Sequence, residues 1–127
     1  MIDHVGLTVA DFQRARDFYD AALKPLGFAR RMELGPEQTG GTSHAGYGRE
    51  RPVFWIGDGG APSGHVHLAL AARTRAEVDA FHAAALAAGG RDNGAPGLRP
   101  HYHPSYYGAF VLDPDGVNVE AVCHAPG

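Results

Sequence analysis

His4–Gly27 reads HVGLTVADFQRARDFYDAALKPLG, and His67–Gly90 reads HLALAARTRAEVDAFHAAALAAGG. Laid over each other without a gap, the two stretches share seven identities: His4/His67, Leu7/Leu70, Phe18/Phe81, Ala21/Ala84, Ala22/Ala85, Leu23/Leu86 and Gly27/Gly90. The offset of 63 residues is half of the 127-residue chain, so the sequence contains one structural unit twice. Each copy opens with alternation. Val5, Leu7 and Val9 are apolar between His4, Gly6 and Thr8, and Val66, Leu68 and Leu70 stand between His65, His67, Ala69 and Ala71. Period two predicts a half-buried strand in both places.

A helix is expected after each strand. Asp11 is placed to cap the first, whose apolar residues Ala15, Phe18, Tyr19, Ala22, Leu23 and Leu26 recur every three or four positions. Thr74 and Glu77 have the spacing of a capping box for the second, and Val78, Phe81, Ala85 and Leu86 form its stripe. Gly27 and the pair Gly89-Gly90 stop them. Short strands are predicted over Phe28–Glu33, Ser43–Arg49 and Pro52–Gly57, with a polar loop from Gly35 to Thr42. In the second half, Arg91–Asn93 is predicted as a strand and Gly94–Pro104 as a loop. Tyr106–Leu112 and Val117–Cys123 are strands joined by the turn Asp113-Pro114-Asp115-Gly116. Asp58–Gly64, DGGAPSG, connects the halves. The sum is β-α-β-β-β, twice.

Composition narrows the function. Hydrophobic residues make up 44% and charged residues 20%, which supports one core without staples. Eleven Lys+Arg stand against fourteen Asp+Glu with no basic run, so no nucleic-acid partner is expected. No apolar run approaches the ~18 residues of a membrane span. The opening MIDHVGLTV has neither a basic stretch nor a cleavage site, so no secretion signal is expected. Cys123 is the only cysteine and fits a reducing cytoplasm.

Eight histidines are many for this length. If the helices cover the Val5/Leu7/Val9 and Val66/Leu68/Leu70 sides, His4 and His67 face the other way, at matched positions of the repeat. In the last strand Glu120 shares a row with Asn118, Val122 and His124 and sits between apolar neighbours. A carboxylate placed there needs a cation or a donor network. A strand histidine taken alone is more often structural than a ligand. Two at repeat-matched positions, with a carboxylate from a third strand, make a ligand set for a divalent metal with open positions: Fe, Zn, Mn, Ni or Co. His65, two residues before His67, is expected at the rim. The loop Arg99–Pro104 carries His101, Tyr102 and His103, suited to proton transfer or substrate contact at the mouth of a site, or else to a solvated rim. Trp55 and Phe54 offer a flat apolar wall if they face the site, and are core if they do not.

These residues resemble the vicinal oxygen chelate superfamily, the glyoxalase / bleomycin-resistance / extradiol-dioxygenase fold. The resemblance is carried by Ile2–Tyr19, Gly64–Leu70 and Tyr107–Val122 and covers essentially the whole chain. It implies an α+β fold with two tandem βαβββ modules forming a cupped, open mixed β-sheet with helices on the outside. It further implies one glyoxalase-like domain over 1–127, with module 1 at about 1–60 and module 2 at about 64–124. In that family's pattern His4, His67 and Glu120 match metal ligands. Many members place another ligand on the last strand of the first module, where this chain has Val53-Phe54-Trp55-Ile56. The expected protein is a cytoplasmic homodimer acting on a small oxygen-chelating substrate through a divalent metal, as a lyase, isomerase or dioxygenase. Glu120, His101, Tyr102 and His103 are its candidate catalytic residues, and Trp55, Phe54 and Tyr107 its candidate substrate contacts. The alternatives are a non-catalytic dimer that sequesters an antibiotic-like compound, and a structural dimerisation domain without a ligand.

Overall fold

The computed structural model describes all 127 residues, Met1–Gly127. The first module runs β1 (Val5–Val9), α1 (Phe12–Ala22), a 3-10 turn (Lys24–Leu26), β2 (Ala29–Leu34), a short helix α2 (Pro36–Thr39), β3 (His44–Gly48) and β4 (Phe54–Asp58). The second runs β5 (His67–Ala71), α3 (Arg75–Ala87), β6 (Arg91–Leu98), β7 (Tyr107–Leu112) and β8 (Asn118–Cys123). The repeat read from the sequence is therefore a structural repeat. Each module builds a four-stranded mixed sheet of the same plan, β1-β4-β3-β2 and β5-β8-β7-β6, with the first strand parallel to the last and the other pairs antiparallel.

The capping chemistry follows the expectation, with one change. The Asp11 carboxylate accepts from Arg14 N at 3.1 Å, and Thr74 Oγ1 accepts from Glu77 N at 3.1 Å. Glu77 does not complete the box on Thr74. It reaches back to Arg73 instead, accepting from its backbone N at 2.9 Å and its guanidinium at 3.0 Å. Two segments differ from the sequence reading. A helical turn, Pro36–Thr39, forms inside the expected polar loop. β6 runs on to Leu98 through residues expected to be loop. Pro96 and the glycines at 94 and 97 argue against a central strand, but β6 is the outermost strand of its sheet, where proline's missing N–H is tolerated. Its pairing with β7 slips between Asp92 and Gly94 and again between Gly94 and Gly97, and these bulges absorb the irregular residues.

Each sheet has one covered and one open face. The covered faces and the helices merge into a single core that includes Val9, Phe18, Tyr19, Leu23, Phe54 and Ile56 from the first module and Leu70, Phe81, Val111, Val119 and Ala121 from the second. A polar tie crosses this core. Asp113 in the β7–β8 turn is buried, and its Oδ1 accepts from Asp115 N (2.8 Å) and Val117 N (2.9 Å). Its Oδ2 accepts from the hydroxyl of Tyr19, on α1 of the other module, at 2.6 Å. Burial and the adjacent Asp113 carboxylate push the Tyr19 phenol well above its ordinary pKa, so it remains a donor. The expected cup is present as two open halves, because no strand of one sheet pairs with a strand of the other within this chain.

Candidate functional site

The open face of the second sheet carries the polar site. In β8, Val119, Ala121 and Cys123 point into the core, so alternation turns Asn118 and Glu120 to the open side. β5 lies parallel beside it, with His67 opposite Asn118 and Ala69 opposite Glu120. Glu120 is only 1% exposed, yet both carboxylate oxygens have partners. His67 Nε2 donates to Oε1 at 2.9 Å, and the Tyr106 hydroxyl donates to Oε2 in a short hydrogen bond. Gly108 makes room for the second contact: a Cβ there would lie 3.2 Å from both Glu120 Oε2 and the Tyr106 ring. Burial, then the hydrogen bond to Glu120, pushes the Tyr106 phenol up to about 12, so it stays protonated at neutral pH. Phe110, opposite Glu120 on β7, stacks on the His67 imidazole with ring centroids 6.1 Å apart. These side chains, with Tyr102 and Asn118, line a cavity of about 430 Å³.

The other expected site residues divide between this cavity and elsewhere. Tyr102 reaches the cavity and packs edge-on against Tyr106 with ring centroids 5.1 Å apart. His101 lies against Tyr102 at 4.2 Å, and His103 turns toward His124 at 5.6 Å. All three loop side chains are exposed. Phe54 is not a wall of the site. It is 1% exposed and packs edge-on against Tyr19 in the core, because neighbours on a strand face opposite ways and Trp55 takes the open side. Tyr107 is corrected for the same reason: it turns toward α3, where its hydroxyl donates to Asp79 at 2.6 Å and the Arg75 guanidinium lies 5.2 Å over its ring. Tyr106 is the site residue the sequence reading passed over. The parity of the tyrosine pair relative to Glu120 was the available signal.

His4 stands apart. It is exposed, just before β1, and its Nδ1 lies 2.8 Å from Asp3 Oδ1. The His4 and Arg51 contacts hold the Asp3 carboxyl below its ordinary pKa. A divalent cation suits the His67–Glu120 pair in kind: an imidazole nitrogen and a carboxylate oxygen already share a proton at 2.9 Å, and a cation can replace that proton. In number the pair falls short. No group of three His, Cys, Asp or Glu side chains in one chain is arranged to hold a metal ion.

The open face of the first sheet is built differently. Trp55 and His44 lie over Gly46 and Gly57, where a Cβ would stand 2.9 Å from the indole Cε2 and 2.5 Å from the imidazole Nδ1. Thr42 Oγ1 holds His44 Nε2 at 2.8 Å. These rings, with Gly6 and Thr8, border a smaller cavity of about 160 Å³.

Two βαβββ modules, each a sheet with one helix-covered and one open face, define a paired-module α+β protein with its polar pocket on an open sheet. The chain belongs to the Glyoxalase/Bleomycin resistance protein/Dioxygenase superfamily, whose family model matches residues 1–121. A glyoxalase/bleomycin resistance protein from Albidiferax ferrireducens T118 is 30% identical, with 95% of this chain and 96% of that one covered and a TM-score of 0.75. The fosfomycin resistance protein FosX from Listeria monocytogenes, solved with Mn(II) and sulfate, shares the fold at 15% identity, with 97% and 91% covered and a TM-score of 0.68. A glyoxalase I from Zea mays shares it at 20% identity and TM-score 0.68, covering 99% of this chain and 45% of its own. No curated protein matches the sequence.

Proposed function

We propose that this protein is a glyoxalase-like or dioxygenase-like metalloprotein acting on a small substrate that chelates through two neighbouring oxygens. The observation that supports it is the buried Glu120, bridged to His67 Nε2 at 2.9 Å above an open cavity. The third donor, His4, comes from a second copy of the chain. Two features favour this pairing. β1 and β5, the strands that follow His4 and begin at His67, are both sheet edges without an outer partner. Beside His4, Ile2 and Val5 are 82% and 41% exposed, an apolar edge that a second copy would cover. Setting β1 of one copy along β5 of the other joins two open halves into one cup.

His67 and Glu120, with His4 of a second copy, would hold a divalent cation, which would supply Lewis acidity toward the substrate's oxygens. The chain's own side chains do the rest. Tyr106 holds Glu120 Oε2 and leaves Oε1 toward His67. Tyr102 and Phe110 wall the cavity and exclude water from one side of a flat substrate. His101, Tyr102 and His103, on the exposed loop, are proposed for proton transfer or for gripping a substrate oxygen. The buried Cys123 thiol is in keeping with a reducing cytoplasm, where we place the protein. The aromatic lining also favours a second reading, a dimer that sequesters a planar compound without turnover. Elemental analysis of protein purified without chelator tests both readings, with light scattering to size the assembly. The metalloprotein reading expects metal in proportion to chain, lost in His67→Ala. Metal-free dimer that also fails to take up Mn, Fe, Co, Ni or Zn, yet binds a planar ligand, supports the second.

A further inference from the structure

The chain has two asparagines, and they are bonded to each other. Asn93, exposed on β6, donates through Nδ2 to Asn118 Oδ1 at 3.2 Å. Asn118 in turn lines the cavity, two residues before Glu120. The residues that follow them differ. Asn118 precedes Val119, a buried β-branched residue paired on both sides in β8. Asn93 precedes Gly94 in the only Asn-Gly pair of the chain. A side-chain amide is open to attack by the backbone nitrogen of the next residue, and glycine offers no side chain to hinder the approach.

The surroundings of Gly94 suit that attack. β6 is an edge strand, and its pairing with β7 slips on both sides of Gly94, whose φ is +149°. The Gly94 N–H donates to Asp92 Oδ1 at 3.0 Å, and His82 Nε2 meets the same oxygen at 2.9 Å. The His82 bond, then the Gly94 bond, holds the Asp92 carboxyl below its ordinary pKa, so it is ionised at neutral pH.

We propose that Asn93 is a site of spontaneous deamidation in the folded protein, and that Asp92 sets its rate. Gly94 N gives its proton to hydroxide, and its electron pair attacks Asn93 Cγ. As the N–Cγ bond closes a succinimide ring, the Cγ–Nδ2 bond breaks, and Nδ2 takes a proton from water and leaves as ammonia. Water then opens the ring at either carbonyl. Both products carry a carboxylate at position 93, one with the normal backbone and one with the chain rerouted through the side chain. Nothing is oxidised or reduced, and water is the only co-reactant. Asp92 is the brake, because an anion bonded to the N–H opposes loss of its proton. The product sets a negative charge against Asn118 on the cavity wall. The rerouted form adds one main-chain carbon where β6 already slips, on the strand separated from Glu120's strand by β7.

The test ages folded protein at neutral pH for several weeks, followed by digestion and mass spectrometry. The peptide holding Asn93 should gain one dalton and split into two chromatographic forms, while Asn118 stays unchanged. Asp92→Ala should convert about tenfold faster, the worth of one charge-assisted hydrogen bond. His82→Ala breaks the same helix–strand tie but leaves Asp92 on Gly94, and should age at the wild-type rate. Thermal melting checks that both variants are folded. If native wild type and Asp92→Ala both stay unmodified while the urea-unfolded chain converts, the site is overturned. Equal rates in wild type and Asp92→Ala, or an equal acceleration in His82→Ala, overturn the role of Asp92.

Discussion

His4→Ala and Glu120→Gln, made in separate chains and then mixed, test the two-copy site directly. The structure puts His67 and Glu120 together on one sheet, 2.9 Å apart, and leaves His4 exposed beside a different sheet edge. Each site of a two-fold dimer would draw His4 from one copy and the other two donors from its partner. Each variant alone has every site damaged. After unfolding and refolding an equimolar mixture, half of the dimers are mixed. In a mixed dimer one site combines intact His4 with intact Glu120, and the other carries both lesions. About a quarter of all sites should therefore regain wild-type affinity, by the statistics of a two-fold assembly. Glu120→Gln keeps the side chain's shape and its place between His67 and Tyr106, so the loss reports ligand chemistry more than refolding. The assay is equilibrium dialysis against Mn(II) or Co(II) at a concentration that fills wild type and neither variant, with metal counted per chain. Native mass spectrometry on differently sized tags confirms that mixed dimers form. No recovery in their presence would refute the shared site.

Tyr106→Phe keeps the ring against Tyr102 but removes the donor to Glu120 Oε2, and should weaken metal binding roughly 10–100-fold, as loss of a ligand's hydrogen-bonding partner commonly does; dialysis against the same metals measures it. Asp113→Ala removes the acceptor for Tyr19, Asp115 N and Val117 N and should destabilise the fold by about 3–5 kcal/mol, read from urea unfolding. Stability should fall as pH rises above 10. Tyr19 and Tyr47 are both raised in the native state, chiefly by burial, so they keep protons that the unfolded chain releases. Unfolding is then favoured as pH climbs, by at most about 1.4 kcal/mol per pH unit for each tyrosine. The slope between pH 10 and 11 should be shallower in a Tyr19→Phe/Tyr47→Phe double variant, and an equal slope would exclude the two phenols as its source.

The parts of the fold legible in the sequence were those written in short-range chemistry. Alternation around His4 and His67, the caps Asp11 and Thr74, and the Gly89-Gly90 stop are all local, and each stands where it was read, whereas α1 ends already at Ala22 and Gly27 closes the 3-10 turn that follows it. The pairing of His67 with Glu120 was legible because both lie on strands whose apolar side is plain. β6 was partly hidden because Pro96 and its glycines are compatible with a strand only at a sheet edge, and edge position is a property of the whole sheet. Asp113 read as a turn residue; nothing nearby in sequence reveals its bond to Tyr19, 94 positions away. Phe54 and Trp55, like Tyr106 and Tyr107, are adjacent pairs of which strand parity admits one to the cavity side. Assigning both to the site, or choosing the wrong one, was an error of phase that the register resolves.

The merged core gives the duplication a mechanical meaning. Phe18 and Tyr19 of the first half meet Gly90 and Asp113 of the second, where even one methyl at Gly90 would come within 2.8 Å of the Phe18 ring. Either half by itself would show this apolar flank to water, and joining the two in one chain keeps it covered. A nick between Gly60 and Gly64 should therefore leave two fragments that cling to each other and melt as one body, while either fragment by itself aggregates.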